Sequence, residues 1–375
     1  MLSKEFLDSV SYPITQLYMA SENRLLSMIV KRLKNATGGF KVTEWKIEKL
    51  SNMGGLSRDA VAEIAKTSKK AQKMLSKVLS DVAKKSLSVD GVDTKETQGV
   101  LQTIKAMQAQ AVNHLNIVNT TMLSGTLDAY GKMVAVLDNE RNIILSEATI
   151  DLVTGQDSFS RIVGDTVRRL SDAGINAYVD KAGRQWSPEA YVSMDLRTTS
   201  SQTARKVVEE QGKDYGLDVI LVSSHAGARP KCAPYQGKCY SMSGRYGTIR
   251  DANGREYEFE PLSNTSYGEP DGLFGINCGH SFRYIEEGSF FNRERTVDTE
   301  EEREKNAKTY AQSQEQRQIE REIRGYKREA EMLSEAGLKE DSQEARAKVT
   351  EARREYSAFC DETGRTPRWD RTNIY

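Results

Sequence analysis

The sequence predicts an α+β fold: a long helical N-terminal region, a small mixed α/β module with hairpins and a pair of Cys/His loops, and a C-terminal antiparallel helical hairpin. Three observations predict it. Apolar residues recur at helical spacing through residues 1–155, with few glycines or prolines to interrupt them. From about Asp157 the pattern changes to short period-two alternations broken by turn residues. After residue 290 a helical period returns with dense charge of both signs. The expected divisions are therefore a helical region at 1–155, a mixed module at 156–290, and a charged hairpin with a terminal arm at 291–375.

In the first region Leu25, Leu26, Ile29, Val30 and Leu33 share one helix face, with Ser21 placed as an N-cap and Gly38-Gly39 as the stop. A second helix is expected from Ser57, with Val61, Ile64, Ala65, Leu75, Val78 and Val82 near 3.6 spacing and a lysine series from Lys66 to Lys85 on the remaining surface. A third begins near Thr94, its stripe running through Leu101, Ile104, Ala111, Leu115, Val118 and Met122 with Gln108 as a polar interruption.

The mixed module opens with a short helix (Phe159, Ile162, Val163, Val167, Leu170) closed by Gly174. Ile175, Ala177 and Val179 alternate as a strand, and Gln185-Trp186 starts its return. Ser187-Pro188 combines an N-cap with proline at the first helical position, and the helix it begins is expected to end at Gly212. The apolar run Val219 to Val222 reads as a buried strand that delivers Ser223, Ser224 and His225 onto a loop. Asn253-Gly254 between two alternations signals a hairpin, and a second loop returns the chain with Cys278 and His280.

At the C-terminal end Ile319, Ile323, Tyr326, Ala330 and Leu333 step by four and three, as do Ala345, Val349, Ala352, Tyr356 and Phe359 after Gly337. Asp341 and Glu344 fit a capping-box variant. The tail TGRTPRWDRTNIY has no period and reads as an arm that orders on a partner.

Charge excludes some functions. The 54 basic residues balance 54 acidic ones, which disfavours a non-specific DNA coat or attraction to an anionic membrane. No apolar run is long enough to span a bilayer, and the N-terminus lacks the pattern of a secretion signal, so a soluble chain synthesised in the cytoplasm with reduced thiols is expected.

The densest chemistry lies in SSHAGARPKCAPYQGKCYS, residues 223–241, together with GINCGHS farther on. Zinc takes four nitrogen or sulfur ligands in a tetrahedron, and the candidates are His225, Cys232, Cys239, Cys278 and His280. Two alternatives stand beside a metal. The cysteines can be small buried hydrophobes with histidines capping loops. Alternatively, Cys232 or Cys278 can be a thiolate nucleophile with His225 or His280 as its base, although no orienting third group has a recognisable spacing. Neither HExxH nor a phosphate-binding GxxxxGK[ST] occurs. His114, mid-helix, reads as a surface or satisfied core residue, and the lysine series as a solvated face. Trp45, Trp186 and Trp369 are scattered and form no stacking platform.

The order YVSMDLRTTSSQTARKV, DVILVSSHAGARPKCAPYQGKCYSMSG, hairpin, GLFGINCGHSFRYIEEG and charged helical hairpin resembles the minor capsid protein 2 family of tailed bacteriophages and prophages over about residues 155 to 360. That family is distantly similar to the Mu-type F head-morphogenesis proteins, which pair a Cys-x-x-Cys loop with a later His-Pro-x-Cys-Arg-Cys loop. The resemblance puts Cys232 on the first loop and Cys278 with His280 on the second, while Tyr235 stands where the other loop-one cysteine would be. It implies a zinc set of His225, Cys232, Cys278 and His280. It further implies a non-enzymatic head component at the portal vertex that assists head assembly or DNA delivery. The implied partners are the portal protein and the major capsid protein, with packaged DNA as a further contact and several copies per virion. The competing readings are a nuclease or toxin-like enzyme using the Cys/His loops, and a scaffolding or adaptor protein absent from the mature virion.

Overall fold

The computed structural model describes residues 2–35, 42–89, 92–93, 98–146, 152–175, 178–180, 183–291 and 295–375. Seven α-helices are found among them: α1 (Lys4–Asn35), α2 (Val42–Leu87), α3 (Gln98–Ser146), α4 (Leu152–Ala173), α5 (Pro188–Asp214), α6 (Glu300–Ala336) and α7 (Lys339–Thr363). Two small ladders are β1 (Ser88–Val89) with β2 (Val92–Asp93), and β3 (Tyr178–Val179) with β4 (Gln185–Trp186). The five-stranded sheet consists of β5 (Val219–Val222), β6 (Cys239–Ser241), β7 (Gly247–Arg250), β8 (Glu256–Pro261) and β9 (Phe282–Tyr284), in the order β7-β8-β6-β5-β9. The α+β class holds.

The chain divides into two compact units, each drawn from three stretches: Met1–Ile14, Gln72–His114 and Val192–Gln314 in one, and Thr15–Ala71, Leu115–Tyr191 and Glu315–Tyr375 in the other. In the second unit the α1 stripe from Leu25 to Leu33 is fully buried, as its spacing requires. Ser21 is not its N-cap. It lies inside α1 and is buried, because the helix starts at Lys4 and the apolar face continues upstream through Ile14 and Tyr18. Ser57 is likewise interior to α2, and Val61 is exposed, its expected place taken by Leu56 and Ala60. The expected stop at Gly38-Gly39 and the start near Thr94 lie outside the described residues.

Gly174 ends α4 with φ of 63°, a conformation that glycine alone adopts at no steric cost. A Cβ there would also lie 2.7 Å from Glu22 Oε1, the same carboxylate oxygen that accepts the N–H of Ile175 at 3.1 Å. Burial pushes the Glu22 carboxyl up, and the Arg328 guanidinium opposes that shift.

The C-terminal hairpin forms as expected, turning at Gly337 with φ of 90°. Asp341 and Glu344 do not build a capping box: α7 begins earlier, after Leu338, and Asp341 instead pairs with Arg168. The terminal arm also departs from expectation. Trp369 packs edge-on against Tyr356 with 5.0 Å between ring centres, and Lys327 donates to the Thr372 carbonyl at 2.6 Å. The arm's ordering partner is its own chain.

Ser187 caps α5 as predicted, its hydroxyl accepting the Ala190 N–H at 3.2 Å, although the helix runs past Gly212 to Asp214. Gly212 has a different task. A Cβ there would fall 2.1 Å from the Tyr284 ring, so the missing side chain lets β9 pack directly on the α5 backbone. Strand β5 is buried along its length. Ile220 and Val222 meet Tyr240, Leu262, Leu273, Phe274 and Phe282 on one face, while Val219 and Leu221 meet Cys239, Ile249, Ile285 and Phe291 on the other. The hairpin at Asn253-Gly254 joins β7 to β8 in antiparallel register, and β6 pairs with β8 in parallel.

Candidate metal centre

Two loops, far apart in sequence, meet at one end of the sheet. The first leaves β5 at Ser223 and runs through His225 to a 3-10 turn at Ala233–Tyr235. The second, Pro270 to Ser281, leads into β9. Both are fixed by backbone and side-chain bonds before any metal is considered. Arg229 on the first donates to the carbonyls of Asp271 at 2.8 Å and Ile276 at 3.1 Å on the second. Ser266 donates to the Lys231 carbonyl at 3.2 Å and accepts the Leu273 N–H at 2.9 Å.

Helix α5 holds the second loop in a strained shape. Phe274 and Asn277 have φ of 63° and 59°, a left-handed region that side chains other than glycine seldom adopt. Buried Arg205 donates to the Phe274 carbonyl at 2.7 Å, and the Asn277 N–H donates to Thr198 Oγ1 at 3.2 Å. Asn306 on α6 clasps Ala228 twice, accepting its N–H at 2.9 Å and donating to its carbonyl at 2.8 Å. Ser281 donates to the Leu2 carbonyl at 3.0 Å. The loop pair is thus anchored to segments from both ends of the chain.

Within this frame Cys232, Cys278 and His280 present ligand atoms that all lie within 4.8 Å of one another, and all three residues are buried. Gln236 orients the imidazole. Its Oε1 accepts the His225 N–H at 3.2 Å and faces His280 Nε2 at the same distance, so Nε2 carries the proton and Nδ1 is directed at Cys278 Sγ, 3.4 Å away. A histidine that ligates a metal through one nitrogen commonly donates from the other to a fixed acceptor, which is the arrangement here. Ligands sharing one zinc at about 2.1 to 2.3 Å stand roughly 3.4 to 3.8 Å apart; Cys278 Sγ and His280 Nδ1, at 3.4 Å, fall in that range, and the donor types suit the ion.

The protons are unevenly shared. A hydrogen bond from the Cys232 thiol, with help from His280, holds the Cys278 thiol far below its ordinary range against the effect of burial. The same bond to Cys278, followed by burial, pushes Cys232 up. Phe274 N–H also donates to Cys278 Sγ at 3.2 Å.

His225 stands beside the cluster rather than among its three convergent residues. Its ring lies 4.4 Å from that of His280, tilted by 31°, and Nδ1 is directed at the Ala226 carbonyl at 3.1 Å. Nε2 is buried with no hydrogen-bond partner among the described residues, and a Cβ on Gly279 would lie 3.0 Å from it. Burial, then His280 and Lys4, push this imidazole down to about 4. Its lone pair is therefore available at neutral pH.

The other candidates lie elsewhere. Cys239 packs on the opposite face of the sheet, and burial pushes its thiol up to about 11. His114 pairs with Asp195 through Nδ1 at 2.6 Å, a satisfied helix residue. Lys66, Lys69, Lys70, Lys73 and Lys77 are exposed on α2, a solvated face. Sequence reasoning missed Gln236, Arg205 and Thr198. Gln236 was visible within the CAPYQGK run, but no spacing rule marks an amide as an orienting acceptor.

Known proteins resemble this chain along nearly its whole length. A family profile described as "Phage minor capsid protein 2" matches residues 2–361. A protein of Lactococcus phage LL-H, described as "Structural protein", is 27% identical over 335 residues, which cover 84% of this chain and 85% of that relative. No solved structure matches.

Proposed function

The chain belongs to the phage minor capsid protein 2 family, and from that premise we propose a structural component of the phage head, seated at the portal vertex, whose loop pair is fastened by zinc. A phage structural role follows from the family and from the relative described as a structural protein. The observation that supports the zinc reading is the buried convergence of Cys232, Cys278 and His280 from two distant loops. A nucleophile must be reached by substrate, and Cys278 keeps only 4% of its surface exposed. A structural ion needs the reverse, a closed shell of ligands.

In this reading Cys232, Cys278 and His280 hold the ion, and His225, with its unpartnered Nε2, supplies the fourth position. The ion's contribution is folding energy, on the order of 10 kcal/mol in small zinc-dependent folds. The helical region at 1–155 docks on the portal protein, the mixed module and hairpin contact the major capsid protein or packaged DNA, and the chain assists head assembly or DNA delivery. No helix among the described residues is long and apolar enough to cross a membrane.

Two measurements test the proposal. Zinc determined by atomic emission on purified protein should be stoichiometric, absent in Cys278→Ser and reduced in His225→Ala. Negligible zinc in the parent chain removes the metal. Mass spectrometry of purified particles should find the chain, and a particle reconstruction should place it at the portal vertex. Its presence only in infected-cell lysate would overturn the virion assignment.

A further inference from the structure

Both outer strands of the five-stranded sheet are edges, and an edge presents unpaired backbone groups unless something satisfies them. At β7 something does. The Arg250 N–H donates to Glu287 Oε2 at 3.0 Å, and the Arg250 carbonyl accepts from Gly288 N–H at 2.9 Å, so a turn of the same chain blunts that edge.

Strand β9 is different. Ser223 N–H donates to the Ser281 carbonyl at 2.8 Å and Ile285 N–H to the Val219 carbonyl at 2.9 Å, while Leu221 stands opposite Arg283. Odd-numbered residues of β9 therefore bond to β5. By the alternation of an antiparallel ladder, the amides and carbonyls of Phe282 and Tyr284 point outward. Neither residue's outward groups find a partner among the described residues.

That edge opens into a cavity of about 580 Å³, whose walls include Phe282, Arg283 and Tyr284. Tyr215 and Phe290, also in its lining, are 66% and 80% exposed. Exposed aromatic rings beside a cavity are the usual anchors of a binding surface. Lys85, Arg205 and Arg283 line it against the single carboxylate of Glu286, which gives it positive character.

We propose that the β9 edge is a strand-addition site that receives an extended, acidic segment of a partner protein. The incoming backbone pairs with the outward groups of Phe282 and Tyr284, its apolar side chains lie against Tyr215 and Phe290, and its carboxylates meet Lys85 and Arg283. Main-chain pairing supplies affinity in such complexes, and side-chain pockets supply choice. The site shares Arg205 and the start of β9 with the frame of the Cys/His loops, but it uses none of the candidate ligands and does not depend on the zinc reading.

The test uses the full chain and three short capped peptides: one alternating valine with glutamate, one alternating valine with lysine, and the glutamate peptide carrying N-methyl groups on alternate amides. Calorimetric titration should show the glutamate peptide binding, the lysine peptide about tenfold weaker, and the N-methylated peptide not at all. Phe290→Asp and Lys85→Glu, both at exposed positions, should each weaken binding roughly tenfold while the thermal melt stays unchanged. Equal binding of parent and N-methylated peptides would overturn strand addition. So would a folded chain that binds none of the three, or one whose β9 edge is occupied by a second copy in solution, seen as a dimer by light scattering.

Discussion

Cys239 and Cys278 are equally buried, each 4% exposed, yet they meet opposite faces of one sheet. Around Cys239 stand Val219, Leu221, Ile249, Ile285 and Phe291, and burial, opposed only by the Arg283 guanidinium, pushes its thiol up to about 11. Around Cys278 stand a second thiol, an imidazole and a backbone N–H, and these overcome burial and draw it down. Equal burial therefore does not mean equal chemistry. What separates a packing cysteine from a ligand is whether polar groups converge on its sulfur, and that depends on loops folding together rather than on the cysteine itself.

The widest break in the comparison comes from replacing one cysteine on each face. Cys278→Ala should destabilise the chain by on the order of 3 kcal/mol or more, because it strands Cys232 and His280 as buried polar groups and removes a ligand of the proposed zinc. Guanidinium unfolding followed by circular dichroism measures it. A loss as small as that from Cys239 replacement would mean that the two faces are energetically alike.

Part of this contrast was legible in the sequence. The run VILV has to be a buried strand, and a cysteine two residues after Gly237 has to fall on the next strand, so Cys239 was readable as a packing residue in hindsight. The pairing of His280 with Cys232 was not in the spacing, since forty-seven intervening positions fix no distance; the family resemblance supplied it. The helical stripes of α1, α6 and α7 were readable because local periodicity decides them, as was that of α3 from Ile104 onward, whereas Leu101 is exposed and Val100 is buried in its place. Helix starts at Ser21 and Ser57 were misread because a serine inside a long helix looks like a cap until packing extends the helix past it. The arm at Trp369 looked partnerless because its partner ring, Tyr356, is supplied by a helix whose own seam had already accounted for it.

A smaller break targets the orienting amide. Gln236→Leu keeps the volume and removes the acceptor of both His225 N–H and His280 Nε2, leaving two buried donors unpaired at about 1 to 3 kcal/mol each. Thermal melting should show the loss, and zinc content should fall with it. An unchanged melt would mean that His280 is positioned by packing alone.

On the same face Gly212→Ala tests how closely β9 lies on α5. The added Cβ would meet the Tyr284 ring at 2.1 Å, so the ring or the strand must move, at about 1 to 3 kcal/mol. A neutral or stabilising result, as ordinary helix propensity would give, rules out that contact.

Asp218 precedes the strand shared by both faces, and its effect is seen in pH. Burial alone would raise its carboxyl, but hydrogen bonds from Arg245, Ser241 and Ser243 outweigh burial and hold it at about 2 against an ordinary 3.8. A depressed carboxylate stabilises the fold fully above the ordinary value, and that share is lost as pH falls from 3.8 through about 2. Melting temperatures of the parent and Asp218→Asn should therefore differ at neutral pH and converge across that acid window. Parallel curves would show that the carboxylate carries no folding linkage.

The smallest effect is expected at Cys239, where the comparison began. Valine has nearly the shape of cysteine, needs no polar partner and suits a strand, so Cys239→Val should change stability by less than about 1.5 kcal/mol in either direction. Its value lies in its pairing with the same substitution at Cys278. There valine brings the same extra methyl but no lone pair for the Phe274 N–H, the Cys232 thiol or His280, whereas at Cys239 none of those groups is present. If the two valine variants melt together, volume governs both sites and the converging polar groups contribute nothing. If they separate by several kcal/mol, the difference is the energy of the loop junction itself, measured against a site on the same sheet with the same burial.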